Sequence, residues 1–110
     1  MNNIAWLYLV LAGICEIGWA FGLKYSEGFT KIGVSIITIA VMILSFILLA
    51  QAIKHLPLGT AYAIWTGIGA AGTAILGIFF LNEPRDLIRI FCILLIITGV
   101  IGLKVFSDAK

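Results

Sequence analysis

The residue that invites chemistry is Glu16, a carboxylate set inside an apolar run that extends over about 4–23. An ionised carboxylate near the centre of a membrane helix costs roughly 2.5–3.5 kcal/mol on insertion scales. The chain places no deeply intramembrane Lys, Arg or His to offset that cost. Either Glu16 keeps its proton or a cation visits it, and a group that alternates between the two is a proton-coupled cation site. The blander reading is a permanently neutral glutamic acid hydrogen-bonded across a helix interface. Gly13 and Trp19 lie three residues to either side and share its helical face. Gly13 leaves room beside the carboxylate, and Trp19 offers an indole N–H and a π-face.

A second group falls between residues 59 and 69. Tyr62 and Trp65 are three apart, and Thr66 and Gly69 continue the spacing by fours. Together they form a polar-aromatic stripe on one helix face. Gly59, Ala63, Gly67 and Ala71 form an adjoining ridge of small residues suited to close packing. The glycines at 67, 69 and 72 permit a bend. Tyr62, near the helix start, also fits an interfacial aromatic belt; Trp65 lies deeper and fits one less well. Aromatic faces beside a carboxylate suit a delocalised organic cation. Ser45 is either a hydrogen-bond partner of the carboxylate or simple glue between helices. Gly18 and Gly22 form a GxxxG pair that allows another helix close.

These residues need elements to hold them, and the composition says in which solvent. The 110 residues are 63% hydrophobic and 11% charged. Soluble domains are about half apolar and about a quarter charged, so this chain is a membrane protein. A helix needs about 20 apolar residues to cross the hydrocarbon core. Four stretches qualify, at about 4–23, 32–53, 58–81 and 87–103, giving an all-α fold of four transmembrane helices in one domain, 1–110. Pro57 and Pro84 mark boundaries, where a missing N–H does least harm. Arg89 is near enough to a helix end to snorkel toward the interface. The first run has no preceding Lys or Arg and holds Glu16, so it reads as a retained helix rather than a signal peptide.

Orientation follows the Lys/Arg bias between loops. Four crossings put Lys54, Lys104 and Lys110 on one side and Lys24, Lys31, Arg85 and Arg89 on the other. That near-balance leaves two readings open, a single orientation set by local context or copies inserted both ways. A net charge of +2 without a basic run excludes a nucleic-acid partner. Cys15 and Cys92 sit in apolar runs without CxxC spacing and read as helix-packing residues, not metal ligands. His55 is a loop residue with no assigned role. No nucleophile–base pair, metal cluster or cofactor loop is visible, so neither an enzyme nor a bound cofactor is expected.

With these residues in place, the whole chain resembles the small multidrug resistance family, and within it the guanidinium exporter branch. The resemblance rests on the lone helix-1 glutamate followed by Trp19, and on Leu23-Lys24-Tyr25-Ser26. It rests further on Thr60-Ala61-Tyr62-Ala63-Ile64-Trp65-Thr66-Gly67-Ile68-Gly69 and on Ile101-Gly102-Leu103-Lys104. The quaternary-ammonium branch usually has a tyrosine where this chain has Met42, three residues before Ser45, a departure that favours guanidinium over bulky aromatic drugs. The resemblance implies a multi-pass protein of the cell (inner) membrane that exchanges protons for guanidinium or small guanidinyl cations. It also implies an antiparallel homodimer with two Glu16 side chains in one site, lined by Trp19, Ser45, Tyr62 and Trp65. Gly13, Met42, Gly59, Gly67 and Gly69 would shape the pocket or pack helices. Two alternatives stand beside this: a broad quaternary-ammonium exporter, and a non-transporting membrane subunit that needs a related partner.

Overall fold

A computed structural model describes residues 3–108; Lys110, counted above in the charge balance, lies outside them. Leu-, Ile- and Ala-rich segments free of internal proline fold into four helices: α1 (Asn3–Tyr25), α2 (Ile32–Ala52), α3 (Leu58–Phe80) and α4 (Leu87–Asp108). At 1.5 Å per residue each is roughly 30–35 Å long, enough for a hydrocarbon core of about 30 Å. All four are long and apolar enough to cross a membrane, and the described residues contain no strand. The protein is a multi-pass membrane protein. α4 continues past the expected end near Leu103, to Asp108.

Three tight connections fix the order in space. After α1, Glu27, Gly28 and Phe29 take positive φ values of 50°, 75° and 67°. The buried Ser26 holds this turn by donating to the Leu23 carbonyl at 3.0 Å and accepting from the Phe29 N–H at 3.1 Å. Pro57 caps α3 at φ −58°, where its ring already has a helix-compatible angle. After α3, the Gly77 carbonyl accepts the N–H groups of Leu81 at 2.9 Å and Glu83 at 3.2 Å. Asn82 supplies the left-handed residue that closes this exit, at φ 55°. Asp86 then caps α4, its Oδ2 accepting from the Arg89 N–H at 3.3 Å.

α1 is the hub, packed on α2 and α3, while α4 packs its backbone only on α3 among the described residues. Small residues set the close approaches. A side chain at Gly22 would collide with Thr38, one at Gly72 with Ile17, and one at Gly67 with Val100 of α4. The core gathers Trp6, Leu9, Ala12, Ala52, Ala61, Ile64 and Trp65. The small-residue ridge of α3 is split: Gly67 and Ala71 are buried, whereas Gly59 and Ala63 are exposed, Gly59 with open space around its Cα. Among the described side chains of α4 only Ile93 is buried, leaving Leu87, Ile88, Phe91, Leu94, Leu95 and Phe106 outward. Cys92 is on that outward side and Cys15 is half-buried. The expectation of a buried packing role for Cys92 is thereby corrected, because α4 turns this position away from the other helices. The chain is flat, with extents of 45 × 35 × 17 Å.

Candidate functional site

Glu16 projects from α1 toward α3 at the one point where α3 carries Gly69. A Cβ at Gly69 would fall on the Glu16 carboxyl group itself. Here, then, glycine is required by a close approach, and the carboxylate occupies the space that any other residue would fill. Glu16 Oε1 is buried and has no hydrogen-bond partner, and the same holds for Trp19 Nε1 and Thr73 Oγ1. Buried polar atoms are ordinarily paired, and an orphan needs a reason. All three residues line one cavity of about 400 Å³ between α1 and α3. Thr66, Gly69 and small alanines complete its inner part, and Glu83 and Arg89 lie at its other end.

Ser45, Trp65 and Tyr62 form a neighbouring assembly. Ser45 is fully buried; its hydroxyl donates to the Ala12 carbonyl at 2.8 Å and accepts from the Trp65 indole N–H at 3.0 Å. One hydroxyl therefore ties α1, α2 and α3 together, and within a single chain it serves the helix-glue alternative. Trp65 is nearly enclosed at 6% exposure, while Tyr62 is 55% exposed in the first turns of α3. Their rings are 5.5 Å apart and tilted by 54°.

The aromatic run is longer than the spacing in α3 alone implies. Phe46 lies 5.8 Å from Trp65 and 6.3 Å from Trp19, ring centre to ring centre, joining Tyr62, Trp65, Phe46 and Trp19 into one series. Such tilted and edge contacts are favoured geometries for aromatic pairs. Nothing in an apolar helix distinguishes Phe46 from the phenylalanines that face lipid. Thr73 had a usable signal, since it continues the Trp65–Gly69 spacing by one more turn.

Gly13 faces Ile68 of α3. A Cβ there would stand 2.7 Å from Ile68 Cγ2, so Gly13 admits α3 rather than opening space beside the carboxylate. Met42 is half-buried on α2. The Arg89 guanidinium, near the start of α4, donates to Glu83 Oε1 in the connection between α3 and α4 at 2.8 Å. Among the described residues no group of His, Cys, Asp and Glu could hold a metal ion.

Comparison with known proteins adds a family to this geometry. Residues 4–96 match the Small Multidrug Resistance protein family. A guanidinium exporter of Yersinia pseudotuberculosis is 58% identical over 104 residues, which is 94% of this chain and all of that protein. The guanidinium exporter of Proteus vulgaris is 53% identical over the same shares. That of Escherichia coli K12 is 52% identical over 92% of this chain and 96% of its own length. Four membrane-length helices with a single carboxylate inside the first, matched over nearly the full chain, place this protein in the small multidrug resistance family.

Proposed function

We propose that the chain is a proton-coupled antiporter that exports guanidinium ion and small guanidinyl cations, with protons and substrate competing for Glu16. The observation that carries this reading is the Glu16 oxygen, buried in a cavity without a partner. A guanidinium ion is planar and donates paired N–H bonds to a carboxylate, with its charge neutralised in the same contact. A proton satisfies the same oxygens with a single bond. The names of the relatives, at 52–58% identity, support guanidinium as the cation.

A carrier of this kind switches its facing direction only when the carboxylate is loaded with one ligand or the other. Proton entry then drives cation exit. Trp19 orients the carboxylate or the bound cation with its unpaired indole N–H. Tyr62 and Trp65 line or gate the path, and Ser45 keeps Trp65 in position through the bond described above. This is transport without bond making, so the protein is read as a carrier and not an enzyme.

The working unit is read as an antiparallel homodimer, one copy facing each way, with two Glu16 carboxylates in one site. A flat chain with α4 almost wholly uncovered and a balanced loop charge support that reading. Many transporters surround a midplane site with two inverted repeats, and two oppositely inserted copies would supply the same symmetry. Two carboxylates so placed resist being charged together, and their titration is coupled.

The aromatic series favours one second reading, a broad quaternary-ammonium exporter, because π-faces also bind bulky cations. Guanidinium flux into proteoliposomes under an imposed pH gradient tests both. The purified chain moves guanidinium, raising external pH lowers its apparent KM by removing the competing proton, and Glu16→Gln folds but carries out no coupled transport. Coupled transport by Glu16→Gln would end this proposal. Preferential movement of a large aromatic cation would favour the second reading. Transport by the chain alone also dismisses a subunit that depends on a heteromeric partner.

A further inference from the structure

The cavity that holds Glu16 contains a second carboxylate and a guanidinium of the protein's own. Glu83 and Arg89 lie at the opposite end of it, and neither is used in the exchange at Glu16. α3 treats the two carboxylates alike. Gly69 receives the Glu16 carboxyl group and Gly77, eight residues on, receives that of Glu83; a Cβ at either position would fall on the carboxylate. Eight residues correspond to a rise of about 12 Å along a helix. Thr73 lies midway on the same stripe, four residues from each glycine, and its buried hydroxyl has no partner. The exit of α3 is built to hold this arrangement, since the Gly77 carbonyl accepts the Glu83 N–H at 3.2 Å and so folds Glu83 back over Gly77.

The Arg89–Glu83 contact is single-armed. One terminal N–H group of the guanidinium reaches Glu83 Oε1 at 2.8 Å, while Arg89 Nε is buried without a partner. Both side chains are partly open, at 36% and 38% exposure. A half-exposed, singly bonded ion pair is weakly held, and a free guanidinium can fork both carboxylate oxygens where Arg89 uses one.

We propose that Glu83 is a second guanidinium-binding carboxylate at the outer end of the Glu16 cavity, occupied between transport events by the Arg89 side chain as a tethered surrogate of the substrate. Arriving guanidinium displaces Arg89 from Glu83, then moves along the Thr73 stripe to Glu16. Arg89, returned to Glu83, closes the vacated position. The inference rests on the reading of guanidinium as the transported cation, but concerns a different carboxylate, so the two fail separately.

The experiment is a titration of the full chain in lipid nanodiscs, labelled with side-chain ¹³C-carboxyl glutamate, using guanidinium chloride against sodium and tetramethylammonium chloride at equal ionic strength. The chain has three glutamates, and Glu27, in an exposed 2.8 Å pair with Lys31, is the internal control. The Glu16 and Glu83 signals are expected to move saturably with guanidinium alone, and Glu27 to stay still. A tethered competitor acts at millimolar effective concentration, so Arg89→Gln is expected to lower the half-saturation at Glu83 by about tenfold. A Glu83 signal that ignores guanidinium, or follows sodium equally, while Glu16 responds, overturns the outer station and leaves the proposed function standing. A silent Glu16 with a responding Glu83 overturns the proposed function instead. If Arg89→Gln does not fold, the wild-type Glu83 signal decides alone.

Discussion

Gly69→Ala is the sharpest test of how the site is built. The added methyl would land on the Glu16 carboxyl group, in the cavity between α1 and α3. Two effects oppose each other. Alanine favours a helix over glycine by about 0.8–1 kcal/mol, whereas inserting a methylene into a packed contact costs typically about 1–3 kcal/mol. The clash outweighs the helix preference, but the carboxylate faces an open cavity and can swing aside, so the helix bundle survives with near-normal stability. The loss appears where the carboxylate must be, in cation binding. A displacement penalty of about 1–3 kcal/mol corresponds to roughly 5- to 150-fold weaker guanidinium binding, at 1.4 kcal/mol per tenfold. Isothermal titration and thermal unfolding of the same detergent-purified sample separate the two readouts. Gly59→Ala is the control, since nothing lies within 4 Å of its Cβ position; it leaves affinity unchanged. Gly69→Ala with wild-type affinity and wild-type stability would refute the claim that this glycine exists to admit Glu16.

Other substitutions probe neighbouring parts of the bundle. Ser45→Ala removes the donor to Ala12 and strands the buried Trp65 N–H; it is expected to destabilise the bundle by about 1–3 kcal/mol, read by reversible unfolding in mixed micelles, while Trp65→Phe gives a smaller loss in the same assay. Gly72→Ala meets only the flexible Ile17 side chain, so it lowers melting temperature slightly and leaves guanidinium affinity at the wild-type value. Asp86→Ala removes the cap of α4 and costs about 0.5–2 kcal/mol, seen as faster amide hydrogen exchange in the first turn of α4 and not elsewhere.

Much of this protein was legible from local pattern. Four apolar segments, two prolines and a carboxylate stranded without a counter-charge specify the solvent and the number of helices, and they single out Glu16 as the residue on which the proposed function rests. These are properties of single segments, and hydropathy alone exposes them. The stripe from Tyr62 to Gly69 was likewise visible, because helical periodicity places spaced residues on one face. Ser45 was recognised as a polar residue in lipid, but two partners were open to it, and only the approach of α1 and α3 shows which oxygen and which N–H it meets.

Local pattern thus settles which stretches enter the membrane and which carboxylate is costly to bury there. It took the assembled bundle to show that Gly69 yields its space to Glu16, that Gly13 yields to Ile68, that Phe46 bridges two tryptophans, and that Arg89 pairs with Glu83. The division follows from the solvent. In lipid every face of an apolar helix is equally well dissolved, so hydrophobicity does not say which face meets another helix. That choice falls to steric fit between small residues far apart in the chain and to a few hydrogen bonds, and these act only once the helices have met.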